Sequence, residues 1–578
     1  MRGQIRLGRL AAALALSTAL AGWAVAPALA DSNSTTPIKH VVVLFQENIS
    51  FDHYFGTYPN AANIPHELYS APFHASPDTP QVNGYTPELL DSNTNKNNSL
   101  SAFVNPVRLA PYQAYTCSNS HSYLPEQEAE DMGLMDRFPT FTAAAGGEGC
   151  LTDGSTVMAY FDGNTVTELW NYAQHFAMSD NSFGSTFGPS STGVINLVSG
   201  QTLGGILHHA GSATGNVFIN TNSVTSGTGI TETVTNVTDI GDEDAYLDDC
   251  GKDVGGTVVA ATLEMTSKNI GDLLNAKNVT WGWFQGGFAP TTPYNPSTGA
   301  PAVCGSQHIE HSFPAPNGLT NQIGSPIGGV VQSEEADYVS HHAGFMFYAS
   351  TRNPHHLPPT GKIGTTDQAN HNYDTSVFFA SLKNGQLPAV SFIKAPQYQN
   401  AHPGSSDPIA EKAWLVQVIN AIMASPDWPS TAIIIAYDDS DGWYDHVSSP
   451  IVSQSNTNED ALAAKGSCGT ALTATAEARC GHGFRQPLLV ISPYSKHDYV
   501  DHSLTNQASI IAFIEQNWTL GTIDGSSTPA PGTASFDRTA GSLDGMFDFQ
   551  APPDFRPLIL NQDGTVQAFA GIPGFGPF

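Results

Sequence analysis

The sequence predicts an α/β protein built on a doubly wound, mixed but mainly parallel sheet with helices on both faces. Three observations carry this prediction. Several short runs are apolar on both faces, which suits strands buried beneath helices. Segments with apolar residues at helical spacing lie between those runs. The two most apolar runs each end in a cluster of acids and amides, where buried strands of such sheets open onto sites.

The elements follow in chain order. Residues 38–45 (IKHVVVLF) form an apolar run ending in Gln46-Glu47-Asn48. Residues 165–175 have helical spacing. A Gly-Pro break at 188–189 precedes Ser190-Ser191-Thr192 and a helix-like apolar stretch. Residues 389–393 (AVSFI), 431–437 (TAIIIAY) and 487–491 (PLLVI) are further buried-strand candidates, and TAIIIAY runs straight into Asp438-Asp439-Ser440-Asp441-Gly442. Residues 409–423 and 507–518 read as helices after AVSFI and PLLVI respectively. Residues 91–99 form a polar loop, 221–239 an exposed β excursion, and 521–535 a Ser/Thr/Pro/Gly loop before a small C-terminal β element (QDGTVQAF). The expected division is a signal peptide over 1–30, a catalytic domain over 31–520, and a C-terminal loop and β extension over 521–578 packed on it. No solenoid-like repeat is present.

Arg2, Arg6 and Arg9 head an apolar stretch that ends in Ala28-Leu29-Ala30. That is the pattern of a secretory signal cleaved near Ala30, so the mature chain is expected to be secreted or periplasmic. Removing it takes away three arginines and no acids, so 21 basic residues become 18 against 52 acidic ones, a net charge of −34. Such a field repels nucleic acid and anionic membranes, and no later apolar run is long enough for stable membrane insertion. Six cysteines in an exported chain predict disulfides. Cys468 and Cys480 pair across a short loop; chain order pairs Cys117 with Cys150 and Cys250 with Cys304.

Four oxygen-bearing side chains, Glu47, Asn48, Asp438 and Asp439, stand at two strand ends and make a candidate hard-cation site. Aspartates crowded after a buried strand repel one another, and a cation relieves that cost. An acidic turn would carry the same residues. Ser190 at the Gly-Pro break is an ordinary N-cap or a nucleophile beside a metal. His121, His341-His342, His355-His356, His402 and His446 are candidates for phosphoryl contact, proton transfer or metal ligation. There is no GxSxG elbow, HExxH helix, Walker loop or Cys-x-Pro-x-Arg segment, which removes lipases, zincins, P-loop enzymes and sulfatases of that type.

Taken together, IKHVVVLFQENISFDHYFG, SFGSTFGPSSTGVINLVSGQT, DYVSHHAGFMFYASTRNPHHLPP, NAHPG, AIIIAYDDSDGWYDHV and GHGFRQPLLVISPYS resemble, in order, the blocks of the bacterial phosphoesterase family that contains phospholipases C and a secreted respiratory-burst-inhibiting acid phosphatase. The resemblance implies an alkaline-phosphatase-like fold with one divalent metal ion (calcium, magnesium, manganese or iron) on Glu47, Asn48, Asp438 and Asp439. It implies Ser190 as nucleophile, with Ser191 the neighbouring alternative, and His121, His341, His342 and His402 around the phosphate. His121 or His402 would protonate the leaving group. Relatives usually have Arg at Ile49 and often Pro at Thr192. The function expected is hydrolysis of small phosphate esters through a phosphoserine, most simply by a broad-specificity acid phosphatase. The alternatives are a phospholipase C acting on phospholipid head groups and an inactive secreted metal-binding protein. The sequence sets no oligomeric state.

Overall fold

The apolar runs become the centre of one large sheet. The computed structural model describes residues 34–567, apart from 98–101, 145–149, 151–153, 209–216, 220–232, 252, 255–256, 259–260, 310–333, 458, 463, 470–477 and 525–533. The signal segment therefore lies outside the described residues. Eight strands form the sheet: β1 His40–Gln46, β2 Ala177–Ser179, β3 Trp281–Gln285, β4 Asn372–Asp374, β5 Val390–Lys394, β6 Thr431–Tyr437, β7 Leu488–Ile491 and β8 Tyr499–Asp501. Their order is β4-β3-β5-β1-β6-β7-β2-β8. All but β7 run the same way.

Every residue of β1 and β6 is buried. Alternation then sends Val41, Val43, Phe45 and Ile434 into one core and Val42, Leu44, Ile433 and Ile435 into the other. Each such side chain contributes about 1.5–3 kcal/mol by leaving water. The helices divide between the faces. α1 Phe51–Phe55, α3 Thr167–His175, α6 Thr375–Lys383 and α7 Pro408–Met423 cover the second core. α4 Ser190–Ser199, α5 Ile270–Ala276 and α8 Ala508–Trp518 cover the first. The short α2 Tyr123–Glu130 packs in a third, smaller cluster near the site. α7 starts cleanly because Pro408 follows Asp407, whose carboxylate accepts from the N–H groups of Ile409 and Ala410 at 2.8 Å.

The sheet is mixed, as expected: the PLLVI strand is antiparallel to β6. Arg485, just before it, is anchored to Asp52 and Asp445 beyond the carboxyl ends of β1 and β6, so the chain enters β7 from that end and must run back. The stretch around 221–239 is not wholly exposed. Val234–Asp239 joins a five-stranded sheet with Leu203–His208, Thr262–Met265, Asp244–Ala245 and Val217–Ile219, and its last three residues are buried; residues 220–232 lie outside the described residues. Near the C-terminus a bridge joins Leu560 and Val566, while residues 568–578, with the end of the expected β element, lie outside the described residues; Leu558 and Leu560 pack into the second core, where Asn420 hydrogen-bonds both backbone groups of Leu560.

The three disulfides, Cys117–Cys150, Cys250–Cys304 and Cys468–Cys480, have the expected pairing. Among the described residues no helix is long and apolar enough to cross a membrane.

Candidate active site

The site is built where β5, β1 and β6, neighbours in the sheet, end together. Glu47 and Asn48 follow β1, and Asp438 and Asp439 follow β6. Asn48 takes a left-handed φ of 57°, which asparagine tolerates better than most residues, and so turns its side chain back toward the β6 end. Its N–H and that of Asp439 both donate to Asp438 Oδ1, at 3.1 and 2.8 Å. These bonds lock the two strand ends to each other.

Ser190 is the first residue of α4. Its N-cap is Pro189, and Ser190 makes no capping bond. The N-cap alternative therefore fails. The hydroxyl instead faces acceptors: Asp439 Oδ2 at 2.9 Å, Glu47 Oε2 at 3.3 Å and Asn48 Oδ1 at 3.4 Å. Ser191 Oγ turns away, to the His341 carbonyl at 3.4 Å. The close approach of α4 to the β6 end depends on Gly193, where an added Cβ would lie 2.1 Å from the Asp438 carbonyl oxygen.

These residues fit a hard cation on the chemistry of the donor set. Three side-chain oxygens converge on one hydroxyl that has a single proton to give. The Asn48 side-chain oxygen lies 2.9–3.2 Å from Glu47 Oε2, Asp438 Oδ1 and Asp439 Oδ2, an arrangement that a cation among them relieves; turning the amide would instead place its nitrogen there and let its oxygen accept from His402 Nε2 at 3.2 Å. Four side chains thus share one small, buried, oxygen-rich volume, which is the donor type that calcium, magnesium or manganese takes. Asp438 and Glu47 share the Lys394 ammonium: Asp438 Oδ2 accepts from Lys394 Nζ at 2.8 Å, and Glu47 Oε1 pairs with the same nitrogen. Much of the carboxylate repulsion expected here is relieved by the chain's own donors. Besides Lys394, Asp441 accepts from Ser118 Oγ and from the backbone and side chain of Asn119.

The histidines divide. His342 Nδ1 lies 3.0 Å from Glu47 Oε1 and His341 Nδ1 lies 3.5 Å from Asp244. The doublet sits on a 3-10 turn (Ser340–His342), not on extended chain, so both rings reach the same side, 4.4 Å apart. His121 Nδ1 contacts Asp441 at 3.2 Å, with His402 edge-on to its ring at 6.0 Å. His355 and His356 do not join the site: they bind Asp249 and Asp248 beside the Cys250–Cys304 disulfide. His446 pairs with Asp52. Among the described residues, two further groups with metal-like composition are otherwise explained. Cys250 and Cys304 beside His356 are a disulfide, and Asp52, Asp445 and His446 surround the Arg485 guanidinium.

Burial dominates the electrostatics. It raises Asp438 to about 6, with Glu47 adding to the effect, and it raises Asp439 well above the usual range. Burial alone would raise Glu47 too, but Lys394 and His402 outweigh it and hold its pKa down. Burial lowers His342, helped by His341 and Lys394, so that ring is neutral. For His121 the carboxylates of Asp439, Asp441 and Asp242 outweigh burial and raise it well above its ordinary value. Glu126, on α2, is pushed up to about 7 by burial; it accepts from Ser440 Oγ at 2.6 Å and Gly188 N at 2.9 Å, tying the β6 loop to the Gly-Pro turn.

Sequence reasoning missed Lys394 and Glu126. A signal for the first was present: a lysine directly ends an apolar run, AVSFIK, in a position the fold buries completely. Glu126 had no such signal, because its partners come from distant loops.

The sequence model of the Phosphoesterase family matches residues 38–521. A non-hemolytic phospholipase C of Burkholderia pseudomallei is 26% identical over 553 residues, which cover 93% of this chain and 63% of that protein. A non-hemolytic phospholipase C of Pseudomonas aeruginosa is 35% identical over 144 residues, 23% of this chain and 20% of that one. Phospholipase C B of Mycobacterium tuberculosis is 30% identical over 184 residues, 31% of this chain and 32% of that one. The chain thus spans less than two thirds of the length of the Burkholderia relative.

Proposed function

The chain belongs to the Phosphoesterase family, and from that premise we propose that it is a metal-dependent phosphoesterase of the phospholipase C kind, working through Ser190. The observation that carries the proposal is the Ser190 hydroxyl, held by α4 against Asp439, Glu47 and Asn48 rather than capping its own helix. The sequence alone favoured an acid phosphatase. The names of the relatives support the diesterase better, and it is the reading we adopt.

Glu47, Asn48, Asp438 and Asp439 would hold one divalent ion, which when bound supplies positive charge to a phosphoryl oxygen and lowers the pKa of a neighbouring hydroxyl. The chain's own part is as follows. Ser190 Oγ attacks phosphorus, and the P–O bond to the leaving alcohol breaks. Its proton has a near acceptor in Asp439 Oδ2 at 2.9 Å. His341 and His342 flank the oxyanions. His121, charged beside its carboxylates, donates a proton to the departing alkoxide, with His402 next to it as the alternative donor. Water then hydrolyses the phosphoserine by the reverse path.

The same proposal extends to the surroundings. The fold is read as doubly wound and alkaline-phosphatase-like, with 31–520 as the catalytic domain and 521–578 as an extension. The mature chain acts outside the cytoplasm, in keeping with its three disulfides, on phospholipid or other phosphate-ester substrates and not on nucleic acid.

The test is a substrate panel of p-nitrophenyl phosphate, a choline phosphodiester and phospholipid micelles, run on the mature protein and on Ser190→Ala. Preference for the diesters is expected, with at least a ~10³-fold loss of kcat in the variant and metal still bound. Full activity in Ser190→Ala would sink the nucleophile. Preference for the monoester would return the reading to a phosphatase.

A further inference from the structure

Lys394 is the last residue of β5. In the sheet β1 lies beside β5, and β6 lies on the other side of β1. Three adjacent parallel strands therefore deliver a lysine, Glu47 and Asp438 to one point. The Lys394 side chain is fully buried. Its ammonium pairs with Glu47 Oε1, donates to Asp438 Oδ2 at 2.8 Å, and reaches the Gln46 carbonyl at 3.4 Å. The Phe45 ring lies 5.0 Å from it. All three N–H groups are engaged by the chain, so the lysine offers none to a substrate.

The two carboxylates it binds keep their other oxygens for different work. Glu47 Oε2 faces Ser190, and Asp438 Oδ1 takes the two backbone N–H groups that fix Asn48 and Asp439. With an ion bound, the carboxylates of Glu47, Asp438 and Asp439 would carry three negative charges, and the ammonium would cancel one. A buried charge left uncompensated is strongly unfavourable, so the remaining two charges set what the volume accepts.

We infer that Lys394 is a positioning residue that sets the charge of the ion the site accepts: by holding Glu47 and Asp438 and cancelling one carboxylate charge, it matches the cluster to a divalent rather than a trivalent cation. The inference rests on the reading above that Glu47, Asn48, Asp438 and Asp439 hold a cation. An ammonium is a compact point charge, which suits a position between two carboxylates. Arginine would keep the charge but spread it over a planar fork.

The experiment compares the mature wild-type protein, Lys394→Met, Lys394→Gln and Lys394→Arg after chelator treatment. Calorimetry reads Ca²⁺ binding and luminescence reads Tb³⁺ binding, with near-UV circular dichroism as the check on folding. The ratio of Tb³⁺ to Ca²⁺ affinity is expected to rise about tenfold or more in the Met and Gln variants, because one more negative charge then faces the ion. The Arg variant is expected to stay near the wild-type ratio. An unchanged ratio in a folded neutral variant overturns the inference, and so does an Arg variant that behaves like Met. If the neutral variants do not fold without metal, Tb³⁺ should restore the native spectrum better than Ca²⁺; failure with both ions overturns the inference. A wild-type protein that binds neither ion overturns instead the metal reading on which it rests.

Discussion

Glu411 on α7 offers a quantitative test of how the site is supported from behind. Its carboxyl is fully buried and accepts from Tyr437 OH at 2.8 Å, Tyr54 OH at 3.0 Å and Gln46 Nε2 at 3.3 Å. Gln46 and Tyr437 end β1 and β6, so a single carboxyl ties together the residues preceding Glu47 and Asp438. Burial, then repulsion from Glu168, pushes its pKa from the ordinary 4.5 up to about 8. The folded state therefore keeps a proton that the unfolded chain loses above about pH 4.5. For a raised acid the stability contribution is full below the unfolded value and is lost as pH rises through the folded one. At about 1.36 kcal/mol per pH unit, over a window of roughly 3.5 units, the loss is about 4–5 kcal/mol. Glu411→Gln replaces the carboxyl by a neutral group of the same shape. In urea denaturation at several pH values, the stability of the wild type relative to this variant should fall by roughly 3–5 kcal/mol between pH 5 and pH 8.5. A difference that does not change with pH would refute the claim that Glu411 is folded in its protonated form.

Other outcomes follow from single contacts. Gly193→Ala should push the β6 end away from α4, because its Cβ would meet the Asp438 carbonyl at 2.1 Å; a lower Tm together with weakened Ca²⁺ binding is expected, and an unchanged affinity would show the approach to be slack. Arg485→Met removes the guanidinium shared by the fully buried Asp52 and Asp445, leaving Asp52 only His446, and should cost about 3–5 kcal/mol in denaturation. Asp407→Ala removes the cap of α7 and should cost about 0.5–2 kcal/mol with no change in metal stoichiometry.

The sheet was legible because its central strands are buried on both faces. IKHVVVLF and TAIIIAY have no polar alternation to confuse them with half-exposed strands. The helices at 167–175, 408–423 and 508–518 were legible for the matching reason: their apolar residues recur at helical spacing, and the structure moves their starts by only one or two residues. The direction of β7 was not legible. It depends on Arg485 reaching Asp52 and Asp445, both far away in the chain.

For the site, the sequence by itself determined which oxygen-bearing groups stand at strand ends, since a strand's last residue fixes where the next side chains emerge. It also placed Ser190 at a helix start. Only the tertiary structure decided what those groups face. Ser190 could have capped its own helix, and it turns to Asp439 because Gly193 lets α4 come close. His342 meets Glu47, while His356 meets Asp248 in a structural network, although both doublets look alike in sequence. Lys394 looked like the edge of a strand and is a buried cation between two carboxylates. Strand position follows from local pattern, whereas charge compensation depends on which strands become neighbours, and no local pattern of residues encodes that.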